Sequence, residues 1–150
     1  MKNLLAICVA SLFVGIATGQ DGDIRDRFAG AWRLARLEQP GADGQPHRID
    51  CTGLLVYTRD GHMSVQVMEH NAQAQAAAGP EQYSQGGYEA TWGTFKVDER
   101  AHTFTLHVEG ALVRALVGKD LRRAYEFSGK QLMVKSARSD EHWNVVWERY

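Results

Sequence analysis

Residues 53–66 read Gly53-Leu54-Leu55-Val56-Tyr57-Thr58-Arg59-Asp60-Gly61-His62-Met63-Ser64-Val65-Gln66. Two runs rich in Leu, Val, Tyr and Met flank an Asp-Gly pair. Such a pair between strand-like runs marks a tight hairpin turn, where glycine takes a positive φ without steric cost. Residues 53–58 and 63–69 are therefore read as adjacent antiparallel strands. Alternation sorts the second strand into two faces. Ser64, Gln66 and Met68 share one, and Met63, Val65 and Val67 share the other.

The same period-two texture extends in both directions. Upstream, residues 32–38 form a first strand, and the Pro- and Gly-rich residues 39–46 form a loop. Residues 21–28 are polar apart from Ile24 and Phe28, which sit at helical spacing and suggest a short lead-in helix or turn. Downstream, strands are expected over 88–97, 103–109, 121–127, 131–137 and 142–149, with turns at 98–101 and 128–130. Residues 111–117 form either a further strand or a loop over a barrel mouth. Between the hairpin and residue 88 the texture changes. Residues 71–78 are rich in Ala and Gln, Pro80 suits the first turn of a helix, and Gly86-Gly87 would stop it. One short helical insert is expected there, as a lid, a binding loop or a plain crossover. Eight to nine short strands at this spacing indicate an all-β domain, a closed antiparallel barrel or a sandwich.

Composition limits what such a domain can do. The chain has 150 residues, 44% hydrophobic and 23% charged, with a formal net charge of −1. That is enough chain for one domain with a real core. A near-neutral balance without a basic patch excludes nucleic acid as a partner. Residues 1–19 differ in kind, with a positive start, an uncharged apolar run and small residues at 17–19. This is the order of a secretory signal peptide, too short for a stable membrane span. The expected organisation is thus a signal peptide over 1–19 and one barrel domain over 20–150, in the periplasm or outside the cell. Loss of the signal would remove Cys8 and leave Cys51 alone, so no internal disulfide is expected. Cys51 begins a strand and reads as a buried, inert thiol.

Polar residues on the strand faces supply candidates for a site. His107 and Glu109 lie on one face of residues 103–109, opposite Phe104, Leu106 and Val108. A histidine beside a carboxylate suits proton transfer, and equally a solvated polar stripe. Alternation alone leaves open which face turns inward. Arg123 shares a face with Tyr125 and Phe127. An eight-stranded barrel is wide enough for one small ligand, and Tyr57, Gln66, Tyr88, Trp92, His107, Glu109 and Arg123 are candidates for its lining. His102 and His107 are an odd number of residues apart and face opposite ways, so no zinc site is expected. No phosphate loop, dinucleotide fingerprint or nucleophile elbow occurs, and no cofactor is expected.

Several stretches together resemble a known family. Gly30-Ala31-Trp32 resembles the Gly-x-Trp signature of lipocalins. Residues 53–66 are similar to the second hairpin of the bacterial and fungal lipocalin-like domain proteins. Residues 88–98 resemble their central strand, His107-Val108-Glu109-Gly110 their His-x-Glu-Gly stretch, and residues 145–149 their last strand. The resemblance implies an up-and-down calycin-type barrel with an internal cavity. It also implies that Arg149 covers Trp32 at the closed end, as a structural cation–π pair. Residues 111–118 depart from the family pattern: they carry Arg114 and lack its aromatic and Pro residues, so the mouth should differ. The expected function is binding of a small apolar or amphipathic molecule. The alternatives are a cofactor-free isomerase or cyclase using His107 and Glu109, and a structural protein with a filled barrel.

Overall fold

The computed structural model describes residues 23–70 and 86–150. The expected signal peptide lies outside these residues, as does most of the expected helical insert. The first element is a single helical turn, α1 (Ile24–Phe28), capped by Asp23, whose carboxylate accepts from the Arg25 N–H. The strands that follow are β1 (Gly30–Pro40), β2 (Pro46–Arg48), β3 (Cys51–Tyr57), β4 (His62–Glu69), β5 (Tyr88–Asp98), β6 (Thr103–Ala111), β7 (Asp120–Ser128), β8 (Gln131–Ser136) and β9 (Asn144–Arg149).

From β3 to β9 each strand pairs with the next, and β1 pairs with both β3 and β9. Every pairing is antiparallel. Eight strands therefore close into an up-and-down barrel, and β2 is an extra strand on the far end of β1. Closure leaves the eight barrel strands no long unpaired edge. A bulge at Ala35 shifts the register of β1 against β9 between Leu34 and Arg36. Bulges bend and twist a strand, which suits one that pairs on both sides.

Two regions differ from the sequence expectation. Pro46, read as the end of the loop over 39–46, and the unassigned residues 47–48 pair with Glu38–Pro40 as β2. A strand of three residues is too short to leave a periodic signature. Residues 111–117, left between strand and loop, end β6 at Ala111 and then form a 3-10 turn at Arg114–Leu116.

The helix α1 closes one end of the barrel. Phe28 is fully buried, and its ring meets those of Tyr57, Phe95, Phe104, Tyr125 and Phe127 at centroid distances of 4.9 to 5.7 Å. Edge-to-face pairs of this kind stabilise by about 0.5–1.5 kcal/mol each beyond simple burial. The Trp32 indole N–H donates to the Phe28 carbonyl at 2.8 Å. The Arg149 guanidinium lies 4.2 Å from the Trp32 ring centroid and donates to the carbonyls of Ala29 and Arg27. Gly30 has φ 128°, and a Cβ there would come within 2.8 Å of the Arg149 guanidinium. The glycine of Gly30-Ala31-Trp32 is thus explained both by its backbone and by the arginine that passes over it.

Candidate functional site

Above this aromatic plug the inward side chains become smaller and aliphatic. Met63, Val65 and Val67 of β4 face Leu106 of β6, Leu121 of β7, and Val134 and Val145 of β8 and β9 across a cavity of about 260 Å³. Tyr57 and Phe104 form part of its floor, and Leu116, from the 3-10 turn, is part of its rim. Tyr57 is buried, and burial pushes its phenol well above the usual range, so it stays a neutral hydroxyl.

The polar groups of the wall are few. They are Gln39, Glu89, Thr91 and Arg123, besides the Tyr57 hydroxyl. Arg123 is the only cation that lines the cavity among the described residues. Its side chain is 23% exposed, and its guanidinium stacks on Trp143 with 4.9 Å to the ring centroid. Glu141 lies 3.9 Å from it, an ion pair beyond hydrogen-bond reach. Burial pushes the guanidinium's pKa down, while Glu141 and then Glu89 push it up. Glu141 is held elsewhere. It accepts from the Ser136 hydroxyl at 2.6 Å and from the Trp143 indole at 3.4 Å, and it pairs with Arg138 at 3.4 Å. The Ser136 hydrogen bond is the main reason its carboxyl lies below the usual range.

The structure separates the candidates named from sequence. Tyr57 and Arg123 line the cavity. His107, Glu109, Gln66, Tyr88 and Trp92 stand on the outer surface, and placing them in the lining is corrected here. The cause for β6 is parity. Phe104, Leu106 and Val108 are buried, which turns His107 to solvent, and Glu109 is exposed as the extra residue of a bulge between Val108 and Gly110. His107 pairs with Asp120 at 2.8 Å and not with Glu109, because Asp120 is its cross-strand partner on β7. The expected His-carboxylate acid–base pair therefore lies outside the barrel. On β4, Val65 and Val67 face inward, so Gln66 faces out and donates to the Ser64 hydroxyl at 2.7 Å. On β5, Thr91 and Glu89 take the inner face. Tyr88 and Trp92 are left 42% and 51% exposed, with the Trp92 indole lying across Gly110.

Sequence reasoning missed Thr91, Glu89, Trp143, Glu141 and Leu116. Thr91 and Glu89 were legible as the alternate positions to Tyr88 and Trp92. Trp143 and Glu141 precede β9 in a connection whose path only the closed barrel defines.

A second recess lies outside the barrel wall, between Ala35–Leu37 of β1 and residues 48–51. Cys51 opens onto it. Burial, then the charges of Glu69 and Asp50, push its thiol up, so it stays a protonated, poor nucleophile. Among the described residues no group of three or more His, Cys, Asp or Glu is placed to hold a metal ion. No helix among them is long and apolar enough to cross a membrane.

The family comparison agrees with this architecture. A family model described as a lipocalin-like domain matches residues 29–150. A search of curated proteins finds no match. Among solved structures, a lipocalin-like protein from Bacteroides uniformis is similar over 82% of this chain and 98% of its own, with 13% identity and a TM-score of 0.47. An uncharacterized protein from Bacteroides eggerthii gives 13% identity and 0.47 over 82% and 99%. A mutant of the fluorescent protein UnaG gives 12% identity and 0.41 over 83% and 97%.

Proposed function

The chain belongs to the lipocalin-like domain family, and from that premise we propose that its barrel binds one small apolar or amphipathic molecule in the cavity above the aromatic plug. The observation that carries this reading is a space of about 260 Å³ with largely aliphatic walls inside a closed barrel. Water gains little there, because few wall groups can hydrogen-bond to it. An apolar molecule gains about 25 cal/mol for each Å² of its surface removed from water. A space of about 260 Å³ lies at the small end of ligand pockets, so the ligand is small.

Native mass spectrometry of the purified protein, followed by titration with a panel of small apolar compounds, tests this. Leu106→Trp places an indole in the cavity, and a folded variant should lose binding. A protein that carries nothing and accepts nothing from the panel would overturn the reading, as would a folded Leu106→Trp variant that binds unchanged. Export into the cell envelope or beyond is part of the same proposal, supported by the signal-like order of residues 1–19. Its test is the mature N-terminus, expected at Gln20. A product still starting at Met1 in the exported fraction would refute cleavage.

A further inference from the structure

We propose that the ligand carries a carboxylate, and that Arg123 receives it at the mouth of the cavity. This rests on the binding reading above and names the chemistry of the ligand's polar end.

A guanidinium has five N–H donors. Among the described residues, the Arg123 guanidinium makes one hydrogen bond, to the carbonyl of Arg122 at 3.3 Å. Glu141 is the nearest carboxylate, but it stays 3.9 Å away and is engaged by Ser136, Trp143 and Arg138. Glu89 is exposed to solvent, which screens it. The remaining donors of Arg123 are not buried without partners; they reach the mouth, where a charged acceptor can replace the water they hold with stronger, charge-assisted hydrogen bonds. The Trp143 ring lies 4.9 Å from the guanidinium carbon, a cation–π contact that restrains the Arg123 fork before any ligand arrives. A planar, bidentate acceptor matches that fork, and a carboxylate is such a group. A dianion such as a phosphate monoester would meet more repulsion from Glu89 and Glu141 than a monoanion.

The geometry also sets the length. With the carboxylate on Arg123, the tail runs between Leu121, Leu106 and Val65 toward Tyr57. A cavity of about 260 Å³ suits a small acid, such as a medium-chain fatty acid or a monocyclic aryl carboxylic acid.

The test uses octanoic acid and octan-1-ol, two probes with the same chain and different heads, titrated into the purified protein by calorimetry at neutral pH. The acid should bind about ten- to a hundredfold more tightly than the alcohol, the worth of a hydrogen-bonded charge pair. In Arg123→Met, with unchanged circular dichroism, that preference should fall at least about tenfold while the alcohol still binds. In Arg123→Lys, which keeps the charge and loses the fork, it should fall part of the way. Equal binding of acid and alcohol by the unaltered protein overturns the carboxylate proposal and leaves the cavity reading standing. So does a preference that survives Arg123→Met. Binding of neither probe overturns the carboxylate proposal, and refusal of the whole panel of small apolar compounds as well overturns the cavity reading.

Discussion

Phe28→Ala should destabilise the barrel far more than its place on a one-turn helix suggests. The substitution deletes a phenyl ring that is fully buried and packed by five aromatic neighbours. Six ring carbons at about 0.8 kcal/mol per buried methylene-sized group give roughly 4–5 kcal/mol. Buried Phe→Ala substitutions span about 3–5 kcal/mol. The space left behind is walled by hydrogen-bonded strands that cannot close over it, so the loss should fall near 4 kcal/mol. For a domain of this size that lowers Tm by about 8–16 °C. Thermal and guanidinium unfolding followed by circular dichroism measure it. Because Tyr57 and Phe104 touch Phe28 and also line the cavity, the variant's cavity should deepen and accept a longer ligand. A fall in Tm of less than about 2 °C, the scale of a surface substitution, would refute the reasoning. It would mean that α1 rests against the barrel without plugging it.

Arg149→Ala removes both the cover over Trp32 and the donors to Ala29 and Arg27. It should cost about 2–3 kcal/mol by denaturant titration, with cavity affinity unchanged because the pair sits at the opposite end. His107→Gln should leave ligand affinity within about twofold, since His107 faces solvent and pairs with Asp120. A larger loss would reopen the outer face as a site. Tyr57 titrates above the ordinary phenol range in the folded protein. Its contribution to stability is therefore whole below about pH 10, the unfolded value. It is lost as pH rises beyond that, because the unfolded chain releases the proton first. Unfolding midpoints measured upward from pH 9 should fall, and Tyr57→Phe should flatten the slope. Glu141 has the opposite sign. Its carboxyl is lowered chiefly by the Ser136 hydroxyl, so its contribution is present above the ordinary carboxylate range and lost as pH falls through the folded value. Ser136→Ala should move the Glu141 carboxyl resonance to a higher midpoint in an NMR titration, and an unmoved midpoint would refute the assignment.

Local sequence determined the strands, because each rule involved is local. Asp60-Gly61 specifies a turn, and the alternation of Met63, Val65 and Val67 specifies which side chains share a face. The same parity put Arg123 with Tyr125 and Phe127, and both faces proved inward. What parity cannot supply is the sign of a face. His107 and Leu106 are equally well placed along β6, and only closure of the barrel, with Phe104, Leu106 and Val108 meeting the core, decided which of them saw water. Choosing Tyr88 and Trp92 by aromatic character failed for the same reason, since a large ring can be accommodated on the outer surface when Gly110 leaves it room. The tertiary structure alone decided that Phe28 would become a plug and that Trp143 would lie against Arg123. These contacts join residues far apart in the chain, and no spacing in the sequence encodes them. Sequence thus fixed the period of each strand, while closure of the sheet, a global condition on all eight barrel strands, fixed what faces the cavity.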